Sequence, residues 1–122
     1  MIGYVTIGTN DLPRATKFYD ELLAPLGIKR IMDFGRGYAW GSAMDQPALG
    51  VMIPFDQQPA KPGNGTMTAI VVDSKQKVDE AYQRALALGG SDEGPAGPRG
   101  EGFYAAYFRD LDGNKLNFFF LG

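Results

Sequence analysis

The stretch Ile2-Gly3-Tyr4-Val5-Thr6-Ile7-Gly8-Thr9-Asn10-Asp11-Leu12 decides how the chain is to be read, because its pattern restarts at Thr66-Met67-Thr68-Ala69-Ile70-Val71-Val72-Asp73. In the first copy Val5 and Ile7 alternate with Tyr4 and Thr6, the two-residue period of a strand with one face under a helix. Asn10 and Asp11 carry side-chain oxygens suited to cap first-turn N–H groups, and Pro13 fits the first turn. Leu12, Ala15, Phe18, Tyr19, Leu22, Leu23 and Leu26 then recur at helical spacing. Pro25 tightens the last turn, and Gly27 suits the left-handed stop position. In the second copy Thr66–Val72 is the strand, and Asp73 is the expected cap, with Gln76 three residues on as in a capping box. Val78, Ala81, Tyr82, Ala85 and Leu86 form the second stripe, which ends at Gly89-Gly90.

Working outward, the first helix is followed by three strand candidates, Ile28–Phe34, Tyr38–Ser42 and Ala48–Ile53. They are separated by the turn-forming stretches Gly35-Arg36-Gly37 and Asp45-Gln46-Pro47. Pro54–Gly65, with three prolines and two glycines, reads as a linker. After the second helix, Gly94–Gly102 has four glycines and two prolines and reads as a loop. Phe103–Phe108 and Lys115–Leu121 read as strands joined at Asp110-Leu111-Asp112-Gly113-Asn114, a hairpin signal.

The restart is an internal repeat. A shift of 63 lays Tyr4 on Met67, Ile7 on Ile70, Asn10 on Asp73, Tyr19 on Tyr82, Leu23 on Leu86 and Gly27 on Gly90. A shift of 67 lays Asp45 on Asp112, Leu49 on Leu116 and Gly50 on Asn117. Each half therefore reads β-α-β-β-β: module one at 1–53, a linker at 54–65 and module two at 66–122, together one domain. The fold class is α+β.

The 122 residues contain neither cysteine nor histidine. Disulfides, thiolate nucleophiles and Cys-type zinc sites are thereby excluded, as are imidazole ligation and His-centred acid–base chemistry. Twelve basic and 14 acidic residues, a net charge of −2, are well mixed, so no basic stripe invites nucleic acid. No apolar span approaches the ~20 residues needed to cross a membrane. The N-terminus carries no basic or apolar leader, and a cytoplasmic location is expected.

Tandem βαβββ modules of this size resemble the vicinal oxygen chelate superfamily, which includes glyoxalase I, bleomycin resistance proteins and extradiol dioxygenases. The likeness is carried by Ile2–Gly8 followed by Asp11-Leu12, Ala15 and Phe18-Tyr19, and by Leu23-Ala24-Pro25-Leu26-Gly27. In the second half it is carried by Asn64-Gly65-Thr66 and by Phe103–Phe108 with Asp110, Asp112, Gly113 and Asn114. The resemblance implies a curved mixed sheet forming a cup, with helices on the convex side. It implies metal-ligand positions at Tyr4, Gly50, Met67 and Asn117. Phenol, no side chain, thioether and amide are a poor donor set for a divalent metal. No metal and no cofactor are therefore expected.

The candidate ligand-binding residues are Tyr4, Thr6, Trp40, Met52, Met67, Arg99, Tyr104, Asn117 and Phe119. Tyr4 and Asn117 offer a phenol and an amide to a ligand, or else satisfy each other in a closed core. Met52, Met67 and Phe119 offer an adaptable apolar wall, or else plain filler. Trp40 and Tyr104 could stack a ligand, although cross-strand packing explains aromatics there equally well. Arg99, in the glycine-rich loop, could clamp a carboxylate or phosphate, or simply be solvated. The Asp110–Asn114 run looks like a calcium loop but lacks the distal Glu, so a turn is expected. The leading expectation is a metal-free cup that binds a small apolar or aromatic molecule. An enzyme using non-metal acid–base groups, or a metal bound atypically, is the alternative, and an interaction module with a filled cup is the third reading. A homodimer is expected, because exposed strand edges need covering.

Overall fold

In the computed structural model, which describes residues 1–122, the chain divides into two compact units, Met1–Lys61 and Pro62–Gly122. The first contains β1 (Tyr4–Gly8), α1 (Leu12–Leu23), a 3₁₀ turn (Ala24–Leu26), β2 (Lys29–Asp33), β3 (Gly37–Gly41) and β4 (Ala48–Met52). The second contains β5 (Thr68–Val71), α2 (Lys75–Ala87), β6 (Ser91–Pro98), β7 (Phe103–Arg109) and β8 (Lys115–Leu121). Each has a four-stranded sheet of the same topology, β1-β4-β3-β2 and β5-β8-β7-β6. In both, the first strand lies parallel to the last and the other pairings are antiparallel. The mixed sheets, each with one helix, make an α+β fold of two βαβββ modules.

The helices start and stop where side-chain chemistry directs. Asp11 caps α1 by accepting from the Arg14 N–H at 3.1 Å, and Gly27 closes the 3₁₀ turn at φ 75°. Ser74, one residue beyond the expected Asp73, caps α2 by accepting from the Lys77 N–H at 3.1 Å. Asp73 instead pairs with the Lys77 ammonium at 2.9 Å. Both helices bury one stripe. Ala15, Phe18, Tyr19, Leu22 and Leu23 meet Trp40, Leu49 and Val51 in the first core. Val78, Ala81, Tyr82 and Ala85 meet Phe108, Leu116 and Phe118 in the second. Phe108 and Phe118 stack at 5.4 Å and are fully buried, each worth roughly 1.5–3 kcal/mol in transfer alone.

The sheet contains one element that the sequence reads otherwise. Ser91–Pro98, expected to be loop from Gly94 onward, is strand β6. It is an edge strand, where Pro95 and Pro98 leave no central ladder bond unmade. Its pairing with β7 slips between Asp92 and Gly94 and again between Gly94 and Gly97, which accommodates the Gly/Pro content. The expected strand Thr66–Val72 is shorter, beginning at Thr68. The Asp110–Asn114 segment is a turn: Asp110 Oδ1 accepts from the N–H groups of Asp112 and Asn114, both at 2.9 Å.

Candidate functional site

The strand register decides which side chains share a face. In the first unit Tyr4 pairs with Ala48, Thr6 with Gly50 and Gly8 with Met52. Gly50 pairs in turn with Ala39, and Met52 with Gly37. These residues make up the face turned away from α1, and its centre is small. A Cβ on Gly37 would stand 2.3 Å from the Met52 Cβ. The missing bulk over β3 and β4 lets rings from the two sheet edges meet: Tyr4 on β1 and Phe34 beyond β2 approach to 6.5 Å.

At the Gly8 end of this face lies a cleft of about 450 Å³. Its floor is Thr6, Ile7, Gly8 and Met52, and its wall is the segment from Pro54 to Lys61. Three local features build the wall. Asn10 uses both ends of its amide on Ala60, accepting from its N–H at 2.7 Å and donating to its carbonyl at 3.1 Å. Gly8 has no side chain where one would stand 2.9 Å from the Ala60 Cβ, so the wall closes against β1. Gln57, at φ 61°, turns the chain with its N–H on the Pro54 carbonyl, and Asp56 accepts from the Gln58 N–H at 3.0 Å. Phe55, thrown outward by this turn, is 86% exposed.

Arg36, from the β2–β3 turn, lines the same cleft. One guanidinium N–H is held by the Ile53 carbonyl at 2.8 Å, and the group sits over the Phe55 ring at 5.3 Å. Lys61 also lines the cleft. The lining thus holds two cations and one carboxylate, Asp56, among apolar surfaces.

The nine residues expected to bind ligand fall into separate places. Thr6 and Met52 line the cleft, and Tyr4 lies on the same face, 62% exposed. In the second unit Asn117 and Phe119 share the face of β8 turned away from α2, and Met67 lies exposed just before β5. Asn117 is flanked by Ala69 and Tyr107, is 1% exposed, and its Oδ1 has no hydrogen-bond partner. Phe119 stacks on Phe103 at 5.5 Å. The other three are committed elsewhere. Trp40 lies on the helix side of its sheet, where its indole N–H donates to Asp20 on α1 at 3.0 Å. Tyr104 donates to Asp79 on α2 at 2.6 Å, a bond that raises its pKa. Arg99 donates to the carbonyls of Pro95, Gly97 and Pro98 and covers Tyr107 at 5.4 Å, so it braces its own turn.

Other electrostatic perturbations lie away from the cleft. The Arg109 guanidinium bonded to Glu93 holds that carboxyl below its ordinary range. Burial, then the bond to Asp92, pushes the Tyr82 phenol up. The cleft's Arg36, Phe55 and Lys61 escape a reading of the sequence, because Pro54–Gly65 looks like a spacer and Gly35-Arg36-Gly37 like a plain turn. The available signal was a large aromatic, Phe55, inside a stretch otherwise built of turn formers.

The four positions at which the resemblance implies metal ligands, Tyr4, Gly50, Met67 and Asn117, hold a phenol, no side chain, a thioether and an amide. No group of three or more His, Cys, Asp or Glu side chains stands where it could hold a metal ion. These residues do not fit the divalent metals served by imidazole and carboxylate donors.

Residues 1–118 match the family model of the Glyoxalase/Bleomycin resistance protein/Dioxygenase superfamily. The chain belongs to that superfamily. A glyoxalase/bleomycin resistance protein from Albidiferax ferrireducens is similar over 100% of this chain and 99% of its own, at 35% identity and a TM-score of 0.91. A lactoylglutathione lyase from Agrobacterium tumefaciens shares the fold at 20% identity and a TM-score of 0.71, covering 98% and 92% of the two chains. A genomically encoded fosfomycin resistance protein from Listeria monocytogenes does so at 21% and 0.71, covering 100% and 93%. Comparison with curated proteins gives no match. No helix is long and apolar enough to cross a membrane.

Proposed function

We propose that the protein binds a small apolar or aromatic molecule, without a metal ion, in the cleft between β1, the end of β4 and the Pro54–Lys61 wall. The observation that carries this reading is the cleft, whose volume of about 450 Å³ suits a drug-sized ligand. Ile7, Met52, Pro54, Phe55 and Pro59 supply apolar surface, and Thr6 supplies a hydroxyl. Asn10 pins the wall in place before any ligand arrives, which lowers the ordering cost of binding. Binding is favoured over acid–base catalysis because the one carboxylate in the lining, Asp56, is engaged by its own turn and has no second acid beside it. Tyr4, Met32 and Phe34, all partly exposed on the first unit, supply apolar surface for the homodimer that completes this reading.

The test is titration with 2-naphthamide, a neutral flat probe, followed by ligand-observed NMR and calorimetry. One molecule per chain is expected, with Kd on the order of 0.1–1 mM. Thr6→Trp, which fills the cleft from an exposed strand position, abolishes it. Binding that Thr6→Trp leaves unchanged, or no binding of this probe or of its carboxylate counterpart 2-naphthoate, overturns the reading.

A further inference from the structure

Resting on that reading, we propose that the natural ligand is a small aromatic acid, its monoanionic group held by Arg36 and Lys61 and its ring laid against Phe55. The argument begins with unspent charge. Arg36 gives one N–H to the Ile53 carbonyl and forms no ion pair, so most of its five-donor fork is uncommitted. Lys61 likewise has no carboxylate partner. The two cations face one cleft that contains a single acid, Asp56, which is not paired with either of them. One net positive charge is left over, matched to a carboxylate rather than to a dianion.

The aromatic half of the proposal comes from Phe55. A phenylalanine 86% exposed on a turn that needs a positive φ at Gln57 is unlike a buried packing residue. Left-handed backbone at a non-glycine residue is costly and concentrates at ligand-binding segments. The Arg36 guanidinium at 5.3 Å holds one side of the ring, and the cation so placed lies beside the surface on which a flat ligand would stack. A ring against Phe55 with its carboxylate toward Arg36 and Lys61 uses every uncommitted group on this side of the cleft. Thr6 remains to meet a second polar substituent.

The experiment compares 2-naphthoate with the isosteric neutral 2-naphthamide on the wild-type chain and on Arg36→Gln, Lys61→Gln and Phe55→Ala. The wild type is expected to prefer the acid by roughly tenfold or more, since charge-assisted hydrogen bonds are about twice as strong as neutral ones. Arg36→Gln and Lys61→Gln each reduce that preference toward unity. Phe55→Ala weakens both probes by a similar factor without unfolding a chain from which this side chain already projects. Equal binding of acid and amide by the wild type overturns the inference and leaves the binding reading standing. An acid preference that both charge variants preserve also overturns it, because the anion then sits elsewhere. Failure of both probes overturns the binding reading itself, and the inference with it.

Discussion

Asn117→Leu is expected to stabilise the protein. The amide is 1% exposed, and its Oδ1 receives no hydrogen bond. A buried acceptor without a partner costs about 1–3 kcal/mol in desolvation, and an apolar side chain of similar branching removes that cost. Its neighbours across the ladder, Ala69 and Tyr107, leave an apolar setting on one side and a ring on the other. The expected gain is about 1–3 kcal/mol, several degrees of Tm for a chain of this size. Two controls calibrate the measurement. Phe118→Ala, one residue on and fully buried against Phe108, loses about 3–5 kcal/mol. Tyr4→Phe, at a residue 62% exposed, changes stability by less than about 0.5 kcal/mol. Urea and thermal unfolding of the three variants provide the comparison. A loss of about 1 kcal/mol or more for Asn117→Leu would refute the reasoning, because it would show the amide to be satisfied in the native state. A gain would mark Asn117 as a residue retained at a cost in stability.

Two further outcomes follow from the same structure. Sedimentation at ~100 μM should give twice the 13.2 kDa chain mass, and a monomer at that concentration counts against the dimer, whose standard-size interface would be saturated there. Tyr82→Phe should cost about 1 kcal/mol at neutral pH, the bond to Asp92 being lost while Asp92 keeps the Gly94 N–H. The folded phenol titrates above its unfolded value of 10.0, so the bond's contribution is complete below that pH and disappears as pH rises through the folded pKa. The wild-type and Tyr82→Phe stability curves should therefore converge on the alkaline side, and parallel curves would argue against the bond.

The fold was legible because its signals are local and repeated. Asp11, Gly27, the Leu22–Leu23 stripe and their counterparts near Ser74, Gly89 and Tyr82 each act within one or two turns of chain, so spacing alone exposes them. Strand β6 was not legible for the opposite reason. Gly94, Pro95, Gly97 and Pro98 each disfavour a central strand, and only the knowledge that β6 is an edge makes them harmless. Edge position belongs to the assembled sheet and leaves no mark on the local pattern. The shift of the α2 cap from Asp73 to Ser74 is a smaller case. Both side chains can accept a first-turn N–H, and Asp73 is drawn instead to Lys77.

The site divides along the same line. Strand parity is a local property, and it places Tyr4 with Thr6, and Asn117 with Phe119, on faces turned away from the helices. Trp40 and Tyr104 are candidates by residue type instead, and type is a poor guide to direction. Their even positions put them with Leu49 and Phe118 against the helices, where Asp20 and Asp79 take up their donors. The cleft wall is the least local feature of all. It depends on Gly8 leaving room for Ala60 and on Asn10 holding Ala60 through both backbone groups, contacts across about fifty residues of sequence. With both in place, the segment becomes the surface that carries Phe55 and Lys61 toward Arg36. Under the proposed reading, one of the two cations that would meet a ligand, Lys61, comes from a stretch without regular secondary structure, and the other, Arg36, from the turn between β2 and β3.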